Sequence, residues 1–428
     1  MPTTVTKSIR ASGGDYTTIQ AWEDACPADL VGADQIWKGE LYKEGGGTNN
    51  EWVITTGLAF GGSTVDATRY LWLTAASGVS FYDHASKLSN ALRYNSANGV
   101  AVGTGTAYQH LMNLTSTALR LTGLQLAQAS GTNRNAINSD GSSLLVLERC
   151  IVVSADPEYV VGGGQLEAYN SVVYSLSNNS AANGVVTFNG AVVSHIINCT
   201  IHGAGNGSTA AIFSPYNTQS IVKNTAAFGF GAFVNNATNF NAASSNNNAT
   251  NLATGLGSSN QTSLTTSAQV EATGAGSEDF RAKATGALAG NGVRAQTYTA
   301  DLDIVGTARS TSIPYIGAWE NALAAPTAPT AGSATEVANT TATANWTDNS
   351  TGETGFPVET SPSPYSSWTS QGTASANATS LSLTGLSQNT TYKFRVAATN
   401  GAQSAWSESP EFTTTGGAKG RALLLGVG

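Results

Sequence analysis

Hydrolysis of a glycosidic bond needs two carboxylates held roughly 5–9.5 Å apart. Between Ala168 and Val270 the chain has no Asp or Glu, and Lys223 is its one Lys or Arg. No carboxylate pair can form within that stretch. Upstream lies a single cluster: Asp140, Glu148, Asp156, Glu158 and Glu167, with Arg149 beside it. Asp156, Glu158 and Glu167 are the fallback catalytic set, on the expectation that they fall on neighbouring turns of the chain. Against this, Asp156-Pro157 reads as a solvated turn. The histidines are His84, His110, His195 and His202, and no GxSxG, HExxH or P-loop accompanies them. The pairs Asp66/Arg69 and Asp83-His84 lack a third member. The expectation is therefore no catalytic site. Cys26, Cys150 and Cys199 form no CxxC and no Cys/His cluster, so no metal, cofactor or disulfide framework is expected. Neutral hydrogen-bonding side chains with flat rings suit sugars, which makes Tyr159, Tyr169 and Tyr174 the glycan-binding candidates.

Composition says what must position such groups. Charged residues are 11% of the chain, with 19 Lys and Arg and 27 Asp and Glu. An ordinary domain carries about 25%. With 40% hydrophobic residues, charge-driven disorder is excluded. Glu/Lys/Leu-rich coiled coils and Gly-X-Y collagen are excluded too. A net charge of −8 and a pI near 5.0 argue against a nucleic-acid partner. No apolar run approaches the ~20 residues of a membrane span. The start, Met1 to Lys7, lacks the apolar stretch of a secretory signal. Synthesis in a host cytoplasm without a signal peptide is the corresponding expectation.

An internal repeat organises the first three quarters of the chain. Its members are Leu147–Val153, Ala168–Tyr174, Ile196–His202 and Val222–Phe228, with Leu119–Leu126 as a further candidate. Each reads as a short apolar strand broken by a small polar residue, usually Asn. Gly/Ser/Asn clusters between them read as loops. Such a repeat predicts stacked coils of short parallel strands that share one core. Asn tolerates left-handed backbone angles, so Asn170, Asn198 and Asn224 are expected at one stacked bend, hydrogen-bonded up the stack. In the same register Cys150 and Cys199 lie two rungs apart, roughly 9–10 Å. That exceeds the ~7 Å limit for a disulfide, so free thiols are expected.

This pattern resembles the right-handed, single-stranded parallel β-helix of pectate-lyase-like proteins, phage tailspikes and other virion proteins. The start, Gly13-Gly14-Asp15-Tyr16-Thr17-Thr18-Ile19-Gln20, is similar to the turn and capping helix that open many such chains. Thr17 or Thr18 would be the N-cap, with the helix running to about Ala25. Residues 34–42 would then hold the first strand pair. At the far end, Asp301 to Gly306, Arg309 and Ile316-Gly317-Ala318-Trp319-Glu320 resemble the family's closing motif. Val305 and Tyr315 depart from it where Asp is commoner.

Beyond a Pro/Ala linker, Trp346, the run Ser380 to Leu386 and Thr391-Tyr392-Lys393-Phe394-Arg395-Val396 resemble a fibronectin type III module. Tyr392 would be its tyrosine-corner residue. The expected architecture is all-β: a β-helix over residues 1–322, a fibronectin-like sandwich over 323–416 and a glycine-rich docking tail over 417–428. In that tail Lys419, Arg421, Leu423, Leu424, Leu425 and Val427 would make the contacts.

The resemblance implies a non-enzymatic structural virion protein of a tailed bacteriophage, as spike, fibre or decoration protein. Its expected partners are other virion proteins, including its own copies in a homotrimer, with host-surface glycan binding as an added use. A depolymerase tailspike, either a glycoside hydrolase or a polysaccharide lyase, and a bacterial surface adhesin are the alternatives.

Overall fold

Six residues at one bend carry positive φ: Gly123 at 69°, Arg149 at 54°, Asn170 at 48°, Asn198 at 56°, Asn224 at 49° and Asn247 at 52°. They belong to a computed structural model. It describes every residue except 86, 88–89, 105–109, 130–133, 156, 177–182, 188–191, 204–208, 217–218, 273–278, 284–285, 293–301, 308, 310–313, 321–324, 351–352, 400–402 and 417–428. The docking-tail residues and Asp156 thus lie outside the described residues. Chain contacts divide it into two units, Met1–Asn321 and Ala322–Gly428.

In the first unit three parallel sheets stack coil upon coil, as in a β-helix. The front sheet takes Thr3–Ile9, Gln35–Leu41, Leu71–Ala75, Ala118–Thr122, Leu144–Glu148, Gln165–Tyr169, His195–Ile197 and Ile221–Lys223 in that order. The flank sheet runs from Trp52–Ile54 through Gln125–Gln128, Ile151–Ser154, Val172–Ser175 and Thr200–His202 to Ala249–Thr250. The rear sheet runs from Leu58–Phe60 through Tyr159–Gly163 to Ala232–Val234. One coil visits flank, rear and front in turn. Each repeat segment therefore holds two strands of different sheets, not one interrupted strand. The left-handed residue between them is the front-to-flank corner.

That corner favours a residue for which positive φ is cheap, and five of these six are Asn or Gly, Arg149 being the exception. Asn224 Nδ2 donates to Asn198 Oδ1 at 3.0 Å, one rung of the expected ladder. Asn170 Oδ1 instead accepts from Arg309. One residue on, Cys150 and Cys199 are buried free thiols with Ser171 between them. Ser171 Oγ accepts from the Cys150 amide at 3.1 Å. Burial pushes both thiols up to about 12.

Alternation along the front strands sends Leu71, Leu73, Leu119, Leu121, Leu145, Leu147, Leu166 and Ile196 into the core. A helix, Ile19–Asp24, plugs the lower end. Thr18 caps it, its Oγ1 accepting from the Ala21 amide at 3.0 Å. Trp22 is fully buried there, and a Cβ on Gly39 would stand 2.7 Å from its ring. Gly39 is thus a seat for the tryptophan. The strand after this helix, Gln35–Leu41, pairs in parallel with Thr3–Ile9 before it. The first pair therefore brackets the helix rather than lying wholly within residues 34–42.

The closing motif folds back over the front-to-flank corner. Arg309 Nη2 donates to Gly317 O at 2.7 Å and to Asn170 Oδ1 at 3.1 Å. Its Nη1 stands 3.3 Å from Glu320, both side chains at least 96% buried. The Gly317 amide reaches Asn224 O at 2.7 Å, and Ala318 N donates to Thr200 Oγ1 at 3.0 Å. Val305 and Tyr315 are buried, at 0% and 1% exposure. A carboxylate at either place would need its own partner in a dry site, which accounts for the departure from the motif.

The second unit is an antiparallel sandwich. Ala342–Thr347 pairs with Ser380–Leu383 in one sheet, and Gly355–Pro362 pairs with Thr369–Ser375 and Thr391–Val396 in the other. Trp346, Phe356, Leu383 and Phe394 fill its core. The Tyr392 hydroxyl accepts from the Ser387 amide at 3.0 Å, five residues upstream, as a tyrosine corner does. Replacing Tyr392 by Phe removes that acceptor. This should cost the sandwich about 1 kcal/mol in denaturant unfolding, and a change under a few tenths would show that the bond contributes nothing.

Candidate functional site

The outward residues of the front sheet form two columns set by strand register. The first reads Lys38, Trp72, Arg120, Val146, Glu167, His195 and Ile221. The second reads Glu40, Thr74, Thr122, Glu148, Tyr169, Ile197 and Lys223. This face gathers more aromatic and charged chemistry than any single stretch of sequence displays.

Its lower half centres on Trp72. Lys38 Nζ lies 4.7 Å from the ring centroid and the Arg120 guanidinium 5.2 Å. Two cations on one indole are attracted by its negative face. Trp72 Nε1 donates to Thr122 Oγ1 at 3.0 Å, and Lys38 pairs with Glu40 at 2.7 Å. Arg120 also pairs with Glu148 and donates to the Tyr70 hydroxyl at 3.3 Å. Burial pulls its guanidinium down, but Glu148 and Tyr70 outweigh that and hold it above the ordinary value.

The upper half centres on Glu167. His195 Nδ1 lies 2.9 Å from one carboxylate oxygen and 3.0 Å from the other. Tyr169 donates its hydroxyl to Glu167, and Gln165 Nε2 donates at 3.1 Å. Glu148 and Glu167 are diagonal neighbours, one strand and two residues apart. That places their Cα atoms ~8 Å from each other.

Of the fallback catalytic set, Glu158 and Glu167 are not brought together. Glu158 is exposed just before the rear strand Tyr159–Gly163, where its carbonyl accepts from Asn183 N. Glu167 stands on the front sheet. Asp140 stitches a turn: its carboxylate accepts from Ser116 N, Ser142 N and Ser143 Oγ. Burial pushes its carboxyl up, yet these bonds outweigh burial and hold it below the usual range. A depressed carboxyl stabilises the fold above its unfolded value near 4 and loses that contribution as pH falls through the folded one. Thermal scans from pH 5 to 2.5 should therefore show a shallower decline for Asp140→Asn than for the parent chain. Equal slopes would mean the turn is indifferent to this charge.

The three tyrosines are buried, at 7%, 8% and 4% exposure for Tyr159, Tyr169 and Tyr174. None of these three glycan-binding candidates presents an open ring. The Tyr159 hydroxyl donates to Asn138 Oδ1 at 2.6 Å. Tyr169 serves Glu167. Tyr174 accepts from Tyr94 N at 2.8 Å and packs against Phe280, ring centroids 5.0 Å apart. His202 shares the Tyr174 column, as the repeat register requires, and packs on the same Phe280 at 5.2 Å. Among the described residues no group of three His, Cys, Asp or Glu is arranged to hold a metal ion.

Lys38, Trp72 and Arg120 are front-face residues that the sequence alone did not single out, and His195 stood there only as one of four histidines. The signal was present as strand register, since Glu167 and His195 occupy one outward position on successive front strands.

Residues 327–414 form a fibronectin type III domain, matching that family. Similar solved structures include titin domains A168–A170, 25% identical, at a TM-score of 0.20, with 22% of this chain and 33% of that chain covered. A module of titin from human cardiac muscle, A71, is 22% identical at a TM-score of 0.19, covering 22% of this chain and 94% of that one. A redesigned β-sandwich protein is 31% identical at a TM-score of 0.19, covering 21% and 89%. The chain spans a third or less of the multidomain titin chains it matches. No curated protein is a match for this chain.

Proposed function

We propose that this chain is a non-enzymatic structural protein of a tailed-phage particle, a spike, fibre or decoration protein. In this reading the β-helix is a rigid body, its front face meets host-surface glycans, and its partners are other particle proteins. One observation carries the non-enzymatic part. Each front-face carboxylate is already committed: Glu40 to Lys38, Glu148 to Arg120, Glu167 to His195 and Tyr169. A hydrolytic pair needs one carboxyl free to give a proton and another free to meet water or the sugar. Stitched carboxylates instead stiffen a surface made of short strands. Trp72 with its two cations gives that surface a rigid ring for sugar contact. The fibronectin type III domain supplies a second, separately folded contact module.

A depolymerase is the second reading, favoured by Glu148 and Glu167 standing as diagonal neighbours on one outward face. Incubation with capsule or lipopolysaccharide from candidate hosts separates the two. Under the structural reading no oligosaccharide is released and the protein is found on purified particles. Released oligosaccharide that disappears in Glu167→Gln overturns it.

A further inference from the structure

Beside the two outward columns of the front sheet runs a third. In register it reads Ala118, Leu144 and Gln165, with Tyr70 standing just before the strand below. A single alanine between larger neighbours leaves a gap there, a cavity of about 100 Å³. At ~30 Å³ for each water-sized group, that is room for roughly three heavy atoms.

The lining is mostly apolar. Ala118 gives the floor, Leu144 and Val146 belong to the strand above, and Ala67 and Tyr70 come from the chain below. Leu144 and Val146 are outward residues of their strand, yet both are half-buried. Water between such walls finds few partners, so an apolar group gains by displacing it. One neutral donor stands at the gap. The Tyr70 hydroxyl accepts from Arg120 Nη1 at 3.3 Å, and among the described residues no acceptor takes its own proton. Arg120 is also part of the lining, and its charge is met by Glu148. The site thus combines a small apolar seat with an O–H donor and has no net charge for a ligand to balance.

We infer that this is the seat for the acetyl group of an N-acetylated sugar. The methyl group would rest among Ala118, Leu144 and Val146, and the carbonyl oxygen would accept from Tyr70. The sugar ring would then lie over the neighbouring column of Trp72, Arg120 and Val146. A methyl pentose would fill the gap and leave the Tyr70 donor without an acceptor. A plain hexose hydroxyl would lose water against apolar walls. The inference rests on the reading of the front face as a glycan surface, and it names the class of glycan that this face takes.

Titration calorimetry of the full chain tests it, with triacetylchitotriose as probe. Its de-N-acetylated counterpart, cellotriose and a rhamnose trisaccharide are the comparators. Saturable binding of triacetylchitotriose is expected, with each comparator weaker by roughly tenfold or more. Ala118→Leu should fill the gap and weaken triacetylchitotriose roughly tenfold without weakening cellotriose. Tyr70→Phe keeps the ring, removes the donor and should cost roughly fivefold. Both effects should appear in the ratio of triacetylchitotriose to cellotriose affinity, which a general loosening of the fold would not move. If Ala118→Leu fails to fold, Tyr70→Phe decides alone. Equal affinity for triacetylchitotriose and cellotriose overturns the proposal, as does tighter binding of the rhamnose trisaccharide or an unaltered ratio in a folded Tyr70→Phe protein. Binding of host polysaccharides that lack acetamido groups, with none of triacetylchitotriose, also overturns it and leaves the glycan face standing. Binding of neither removes both.

Discussion

Arg309→Met should lower the stability of the β-helix unit by about 3–5 kcal/mol, the usual cost of removing one partner of a buried ion pair. The side chains of Arg309 and Glu320 are 4% and 2% exposed, so neither charge has water to fall back on. Arg309 also closes three further acceptors, Asn170 Oδ1, Tyr315 O and Gly317 O. Methionine fills the volume but donates nothing. Burial already pulls the guanidinium below its ordinary value, against the pull of Glu320 and Asp303. Calorimetry of the whole chain carries its own control, because the sandwich should melt as a separate transition that does not move. The double variant Arg309→Met with Glu320→Gln should recover part of the loss, since no lone carboxylate then remains buried. A shift under about 1 kcal/mol would mean the clamp is idle.

Arg309 was legible because its neighbours in sequence are also its neighbours in space: Tyr315, Gly317 and Glu320 all lie within eleven residues. The asparagine bends were legible for a related reason. Positive φ restricts residue choice at one point of each coil, so the same type recurs down the column. Tyr392 was legible because its acceptor role spans five residues.

Coil length hid the rest. Glu167 and His195 stand side by side yet lie 28 residues apart, whereas Val146 and Glu167 in the same column are 21 apart. With the spacing irregular, outward columns cannot be counted from sequence without first locating each corner. Glu158, just before the rear strand, and Glu167, on the front sheet, are nine residues apart and still lie on different sides of a coil, because the chain turns at Gly164. There, a Cβ would meet Gly141 O at 2.3 Å. Tyr174 is covered for a third reason. Outward residues of a sheet normally see water, but the flank sheet is covered by a segment more than seventy residues downstream.

That cover should depend on Phe280. Its ring is 1% exposed, lies 5.0 Å from Tyr174 and 5.2 Å from His202, and its amide donates to Ala91 O at 2.8 Å. Phe280→Ala should cost about 3–5 kcal/mol, the range for an emptied aromatic site. The loss should also be shared with the Arg309 clamp. The described parts of the two stretches, 279–292 and 303–320, meet through Ile316 N to Leu288 O at 2.9 Å and Gly292 N to Pro314 O at 2.8 Å. Once either anchor is gone, the closing segment can lift as one piece, and the second anchor then has less left to hold. Phe280→Ala combined with Arg309→Met should therefore destabilise by less than the sum of the two, with a coupling of about 0.5–3 kcal/mol. Faster cleavage by a protease within residues 279–320 should accompany it in both single variants. Strict additivity, with no gain in cleavage, would mean that the two anchors hold independent segments. The flank sheet would then owe its burial to local packing at each coil rather than to one closing strap.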